Sequence, residues 1–356
     1  MAHHTGIGRY IRGLLSTPSL TETLHHWHCT LIGNNEAQKS FSKSFSFRHT
    51  NAKIYGLAEQ IAIPLAARGL DCLHVPHYNA PLFWNRKLVI TVHDLIHLRF
   101  PECLPLQAKW YAQTMLKLVT RRADEIISVS ESTKKDLVET LGVRPEKITV
   151  IHHGIEPKFL AQSHINRSEV EPDNPYFLCV GLLKAHKNIG VLLKAFLKIK
   201  KRSAFPNLRL YLIGHPDTRQ EIVRQWLNTT KSSSSIFLLE NIGDEELMTL
   251  YQNAVALVFP SLCEGFGFPL LEAMASRIPI IASRIDSTLE IAGEGGGIYF
   301  DPNSADELEN RMEQILTHPE LRQQIVKENV KRLFRFDWKQ TIEKTVQVYE
   351  SAAGSD

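Results

Sequence analysis

Short, nearly continuous apolar runs recur along the chain at helix-length intervals. They are Leu88 to Val92, Glu125 to Val129 and Ile148 to Ile151, then Tyr176 to Val180, Leu208 to Ile213, Ser235 to Leu239, Ala256 to Phe259 and Ile278 to Ala282. Runs rich in branched residues and without apolar/polar alternation describe strands covered on both faces, the mark of a parallel sheet. The spacers read as crossover helices. Ser132 to Leu141 follows a serine cap and stops at Gly142 with Pro145 beyond it, and Ile189 to Lys200 sets apolar residues at helical spacing with lysines opposite. Asp337 to Tyr349 reads as a last amphipathic helix that could close the molecule.

Between Glu156 and Pro175 the pattern lapses into Pro, Ser, Asn, Gln and Asp, then a fresh strand starts. The lapse predicts residues 1–156 as one domain, 157–175 as a linker, 176–336 as a second domain and 337–356 as a helix and tail. A length of 356 residues, at about 150 per domain, agrees with two. The expected architecture is α/β, with two doubly wound, Rossmann-like halves facing a cleft. One part of it is expected to be absent. A doubly wound domain opens with a buried strand before its glycine turn, yet Thr5-Gly6-Ile7-Gly8-Arg9-Tyr10 arrives after four residues, so the first strand reads as missing.

Composition narrows the function. The net charge of +3 is too small for a protein whose main work is coating nucleic acid. It is unevenly spread: residues 1–170 hold 20 basic and 14 acidic residues, against 21 and 24 in residues 171–356. The basic first half leaves peripheral contact with a membrane surface open. The apolar runs are far below the roughly 18 residues of a spanning helix, and no signal pattern opens the chain. Five cysteines (Cys29, Cys72, Cys103, Cys179, Cys263) stand apart with no zinc-ligand spacing, as in a reduced, cytoplasmic protein.

The densest chemistry lies in Pro260-Ser-Leu-Cys-Glu-Gly-Phe-Gly-Phe-Pro-Leu-Leu-Glu-Ala-Met-Ala275. It follows a buried strand, turns on Gly265 and Gly267 around Phe266, and enters a helix with Pro269 in its first turn. Glycines let backbone approach a ligand, and the free N–H groups of a helix start attract anions. Glu264 and Glu272 flank that place, a setting suited to phosphate beside sugar hydroxyls. Read alone, Gly-x-Gly can be only a tight turn and Glu272 only a solvated acid.

The full string, a Glu, seven residues and a second Glu, resembles the signature of the retaining GT-B glycosyltransferases of the glycogen-synthase and mannosyltransferase type, the group 1 transferases of family four. Tyr176-Phe-Leu-Cys-Val-Gly-Leu-Leu-Lys-Ala-His-Lys-Asn-Ile-Gly190 is similar to that family's first strand and phosphate loop in the second domain, with Lys187 and Asn188 on the diphosphate positions. Leu182 and His186 stand where many relatives carry Arg, so two cationic contacts fall to one. Leu88-Val-Ile-Thr-Val-His-Asp-Leu-Ile-His97 resembles the His-Asp motif, implying that His93 contacts the transferred sugar while Asp94 fixes the loop. Ile126 to Leu137, with Ser130 as cap, and Ile148 to Pro157, with His153 where Asn is usual, resemble further landmarks. Thr5 to Tyr10 resembles the first glycine loop, which would put Gly6 and Gly8 near the donor phosphates.

The resemblance spans residues 5 to about 345. It implies transfer of a sugar, by this branch's habit mannose from GDP-mannose, to a glycan or lipid-linked acceptor in lipopolysaccharide or other surface-polysaccharide synthesis. Glu264 would hold the sugar's hydroxyls, Glu272 the ribose, and Lys187 with Gly265, Phe266 and Gly267 the diphosphate. No cofactor beyond the nucleotide-sugar co-substrate is implied. No metal is expected either, since the chain contains no Asp-x-Asp. An inactive nucleotide-sugar-binding protein and a non-hydrolysing nucleotide-sugar epimerase remain as alternatives.

Overall fold

The computed structural model describes residues 6–16, 26–41, 45–52, 56, 58–100, 106–161, 174–202, 204–215 and 235–354. Thr5, Cys103 and linker residues 162–173 lie outside them. The chain forms two compact units, Met1–Gly154 with Phe336–Asp356, and Ile155–Arg335.

In the first unit β1 (Thr30–Gly33) and β2 (Ser46–His49) make a two-stranded parallel sheet. A second parallel sheet runs in chain order through β3 (Cys72–Val75), β4 (Lys87–Val92), β5 (Glu125–Ser128) and β6 (Ile148–Val150). Leu88, Ile90 and Val92 pack on one face with Ile126, Ile148 and Val119. Val89 and Ile127 turn to the other face and meet Val348 and Ala352 of the Trp338–Gly354 helix. Cover on both faces is why β4 reads as an unbroken apolar run, each large buried side chain contributing roughly 1.5–3 kcal/mol. Trp338 anchors that last helix. Its backbone N lies 2.3 Å from where a Cβ on Gly154 would stand, so only glycine fits at the end of the unit's first segment.

The N-terminus corrects one expectation. Gly6–Ser16 is a helix of 11 residues, so Gly6 and Gly8 open a helix instead of forming a loop. Ile7, Tyr10, Ile11 and Leu14 recur at helical spacing, and burial of Tyr10 and Leu14 outweighs the conformational freedom of two glycines. Among the described residues no strand precedes this helix, and the unit's strands fall into two sheets.

The second unit holds one six-stranded parallel sheet in the order β12-β11-β10-β7-β8-β9. The strands are β7 (Tyr176–Val180), β8 (Arg209–Ile213), β9 (Ile236–Leu239), β10 (Ala256–Phe259), β11 (Ile280–Ser283) and β12 (Ile298–Phe300). The chain winds outward from β7 to β9, then returns to pair β10 against β7, Leu257 opposite Leu178. Phe177, Leu192, Phe196, Leu210 and Met312 belong to its core. The reversal of strand order lies between β7 and β10, and the loops leaving their carboxyl ends are the two that carry the sequence's phosphate-loop and Glu-x7-Glu patterns. Doubly wound sheets bind ligands at such a reversal.

Candidate functional site

The two loops at the reversal are tied together by the backbone. The N–H of Leu262 donates to the His186 carbonyl at 2.7 Å, joining the turn Ala185–Lys187 to the loop after β10. Asn188 takes a left-handed conformation (φ 53°) and its Nδ2 donates to the Pro302 carbonyl at 2.7 Å, so this side chain shapes the loop. Gly181 donates to the Ile213 carbonyl at 2.9 Å, and a Cβ on Gly214 (φ 138°) would stand 2.0 Å from the Gly181 carbonyl oxygen. Neighbouring strand ends therefore close on each other as only glycine permits, which leaves Lys187 to cross over Gly181.

That crossing brings Lys187 to Glu264. Nζ donates to Oε1 at 2.5 Å, and the side chains are only 17% and 10% exposed. Nζ also lies 5.3 Å from the centre of the Phe259 ring. Cation, carboxylate and aromatic wall thus meet at the end of β10, with a small pocket beside them lined by Cys179, Gly181, Ile189 and Ser261. Ser261 is fully buried and its Oγ has no hydrogen-bond partner among the described residues.

Gly265 and Gly267 form the turn after Glu264, Gly267 with φ 108°, and Phe266 packs edge-on against Phe268 at 5.7 Å. The Phe268–Ala275 helix then starts with fewer donors than the sequence suggests. Pro269 has no N–H, and that of Leu270 returns to the Gly267 carbonyl at 3.0 Å. Positive charge at this end of the sheet therefore comes more from Lys187 than from the helix start. Glu272, in that helix, is fully buried, and the Tyr251 hydroxyl donates to its Oε2 at 2.5 Å. Tyr251 is itself fully buried and meets Phe159 edge-on at 5.9 Å.

The first unit has a polar centre of another kind. His93, at the end of β4, uses its Nε2–H on the Pro76 carbonyl at 3.1 Å, and Tyr10 meets the ring edge-on at 5.1 Å. Tyr10 Oη is 3.2 Å from Thr91 Oγ1, which is 2.8 Å from His74 Nε2, while His74 Nδ1 is 2.6 Å from Tyr349 Oη. Burial dominates the protonation of this chain. It drives His93 down to about 4 and His74 to about 3, holds His153 well below the usual histidine range, and pushes Tyr10 up to about 12. Asp94 fixes its loop as read from sequence, Oδ1 accepting from the N–H of Ile96 at 3.0 Å, and Ser130 caps its helix by accepting from the N–H of Thr133 at 3.0 Å.

The structure therefore brings Lys187, Glu264, Gly265, Phe266 and Gly267 to the sheet reversal, sets Glu272 under Tyr251, and places His93, Gly6 and Gly8 in the other unit. Sequence reasoning missed Tyr251, Ser261, His74 and Tyr349. An aromatic at helical spacing in Asp244–Asn253 signals only core, and the His74 to Tyr349 contact spans 275 positions.

The chain is similar to known proteins along most of its length. Residues 162–332 match the family described as Glycosyl transferases group 1, and residues 26–159 match Glycosyltransferase Family 4. O-antigen chain mannosyltransferase RfbU of Salmonella typhimurium is 31% identical over 266 residues, covering 75% of this chain and 70% of that protein. O-antigen chain mannosyltransferase B of Escherichia coli is 26% identical over 284 residues, covering 78% and 73%. Among solved structures, Anabaena HepE in complex with UDP and glucose superimposes with a TM-score of 0.72 at 18% identity, covering 99% of this chain and 97% of that one. A likeness at that identity speaks for the fold alone.

Proposed function

This chain belongs to the group 1 glycosyltransferases, with the GT-B fold, and from that premise we propose that it moves mannose from GDP-mannose to a glycan or lipid-linked acceptor with retention at the anomeric carbon. The observation that carries the reading is the Lys187–Glu264 pair at the sheet reversal. Mannose as the sugar and surface polysaccharide as the product are supported by the similarity to RfbU.

Breaking the anomeric bond builds positive charge on the sugar and negative charge on the leaving diphosphate. Lys187, which cannot leave its loop, answers the negative charge electrostatically, without proton transfer. The Gly265 to Gly267 backbone lies against the phosphates, and Glu272, oriented by Tyr251, takes the ribose hydroxyls. In this reading the acceptor attacks from the face the diphosphate leaves, and the leaving phosphate takes the acceptor's proton, so no side chain serves as general base. His93, neutral at physiological pH, offers hydrogen bonding to a sugar hydroxyl without adding charge. Lys187 supplies the cation that other transferases draw from a metal, and the sequence has no Asp-x-Asp to hold one.

We place the reaction in the cytoplasm, at the inner face of a membrane. No helix among the described residues is long and apolar enough to cross one. The Leu106–Arg122 helix exposes Trp110, Lys117, Leu118 and Arg121 along one side, a mixture suited to an anionic surface.

The test is to incubate the protein with a panel of sugar nucleotides and a lipid-linked acceptor, following nucleoside diphosphate release and the configuration of the new linkage. Release from GDP-mannose with an α-linked product, unaffected by a chelator, is expected. Binding without release would favour the inactive nucleotide-sugar-binding alternative, and release restored only by manganese would reject the metal-free mechanism.

A further inference from the structure

We propose that Glu264 makes the site selective for an intact nucleotide-sugar over the free diphosphate that the reaction leaves behind, because both ligands must take Lys187 away from Glu264 and only one of them repays the carboxylate. The inference rests on the reading of Lys187 as the diphosphate cation.

Lys187 Nζ donates to Glu264 Oε1 at 2.5 Å, in a place where neither side chain is more than 17% exposed. Nζ has the Phe259 ring centre 5.3 Å away on one side and faces the Gly181 backbone on another, where an added Cβ would be in ordinary contact at 3.6 Å. An ammonium so confined has little room to serve two anions fully. The loops cannot drift apart to make room, because the Leu262 to His186 backbone hydrogen bond holds them. Exchange of partners is thus a side-chain event at Nζ, with Glu264 as the resident competitor.

A bare diphosphate that captures Lys187 leaves the Glu264 carboxylate 10% exposed, without its cation and beside new negative charge. An anion left so is costly through both desolvation and repulsion. A diphosphate that still carries its sugar brings hydroxyl donors to the same carboxylate, and acidic side chains accept from hydroxyls readily. The intact donor therefore replaces both halves of the pair. Once the sugar has left, Glu264 loses its replacement donors, recovers Lys187 and competes the diphosphate out. Glu264 is in this account a specificity-determining residue for binding as well as a sugar contact, and its cost falls on the product.

Inorganic diphosphate is the probe, since it depends on neither the base nor the sugar. Calorimetric titration is expected to show Glu264→Gln binding it roughly ten-fold tighter than the parent, the size of one lost charge-assisted hydrogen bond. Lys187→Ala is expected to bind it more weakly than the parent, and adding Glu264→Gln to Lys187→Ala should recover only the small part that comes from repulsion, well short of the gain seen with Lys187 present. Equal or weaker binding by Glu264→Gln overturns the proposal while leaving Lys187 in the site. A gain of undiminished size in the Lys187→Ala background also overturns it, because the effect is then general repulsion and not competition for one ammonium. Equal affinities for Lys187→Ala and the parent remove the diphosphate reading itself, and the proposal falls with it. Should Glu264→Gln fail to fold, Glu264→Asp, whose shorter side chain retracts from Nζ, is expected to tighten binding by a smaller factor; no tightening there overturns the proposal equally.

Discussion

The polar centres at the ends of β4 and β10, one in each unit, are built by opposite means. In the first, Tyr10, Thr91, His74 and Tyr349 form a chain of neutral partners, with His93 beside it, and burial holds the imidazoles uncharged. In the second, Lys187 and Glu264 pair at the mouth of a loop and Glu272 is covered beneath Tyr251. A neutral network costs nothing in ion desolvation and rigidifies its surroundings, whereas a partly buried ion pair remains an attractive target for a charged ligand. The contrast teaches that a loop at a sheet reversal can hold a charged pair in one unit while the polar centre of the other is built from uncharged hydrogen bonds.

The contrast can be broken most severely at Lys187. Lys187→Ala is expected to lower the rate of nucleoside diphosphate release by about 100-fold or more, as loss of one preorganised transition-state contact does. The His93→Ala variant, which removes no charge, is expected to lose less, and steady-state assays of both decide the ranking.

Acid should strike the first unit before the second. His74 and His93 have folded-state values of about 3 and about 4, below the ordinary value of 6.5. The unfolded chain therefore binds more protons between those limits, so stability is complete above about 6.5 and falls as pH drops toward 4, by roughly a few kcal/mol. Trp27, Trp84, Trp110 and Trp338 belong to the first unit, against Trp226 in the second, so tryptophan fluorescence during thermal melts reports it selectively. A melting midpoint flat from pH 7 to 4.5 would contradict the neutral network.

A smaller effect is expected at Tyr251. Tyr251→Phe leaves the buried Glu272 carboxylate short of a donor, at a cost of about 1–3 kcal/mol. It should weaken nucleoside diphosphate binding while leaving inorganic diphosphate unchanged, as should Glu272→Gln. Equal losses for both ligands would place Tyr251 in general packing. Smallest is Thr91→Val, which removes one link of the neutral chain and is expected to cost about 1 kcal/mol in thermal stability.

What sequence could disclose follows the same division. β4, β7 and β10 are legible because both faces are covered, so nearly every residue is apolar. β1 and β2 are nowhere fully buried and mix Thr30, Gly33, Ser46, Arg48 and His49 with their apolar residues, β3 interrupts its run with His74, and β12 follows three glycines, so no apolar run registers. Lys187 and Glu264 are legible through the resemblance of their two loops to family patterns, since a glycine turn read alone marks no more than a tight turn. Their direct pairing is not, since it joins positions 77 apart through the return of β10 to β7. Gly6 and Gly8 misled for a physical reason: glycine permits a loop but does not require one, and the apolar stripe of Gly6–Ser16 decided for a helix.

The central claim is that Lys187 exchanges Glu264 for the diphosphate of the donor. A crystal structure of the protein with a bound nucleoside diphosphate tests it most directly. Expected are a phosphate oxygen within hydrogen-bond distance of Lys187 Nζ, the Glu264 carboxylate turned away from it, and ribose hydroxyls on the side of Glu272. A nucleotide bound elsewhere, with the Lys187–Glu264 pair intact, would contradict it.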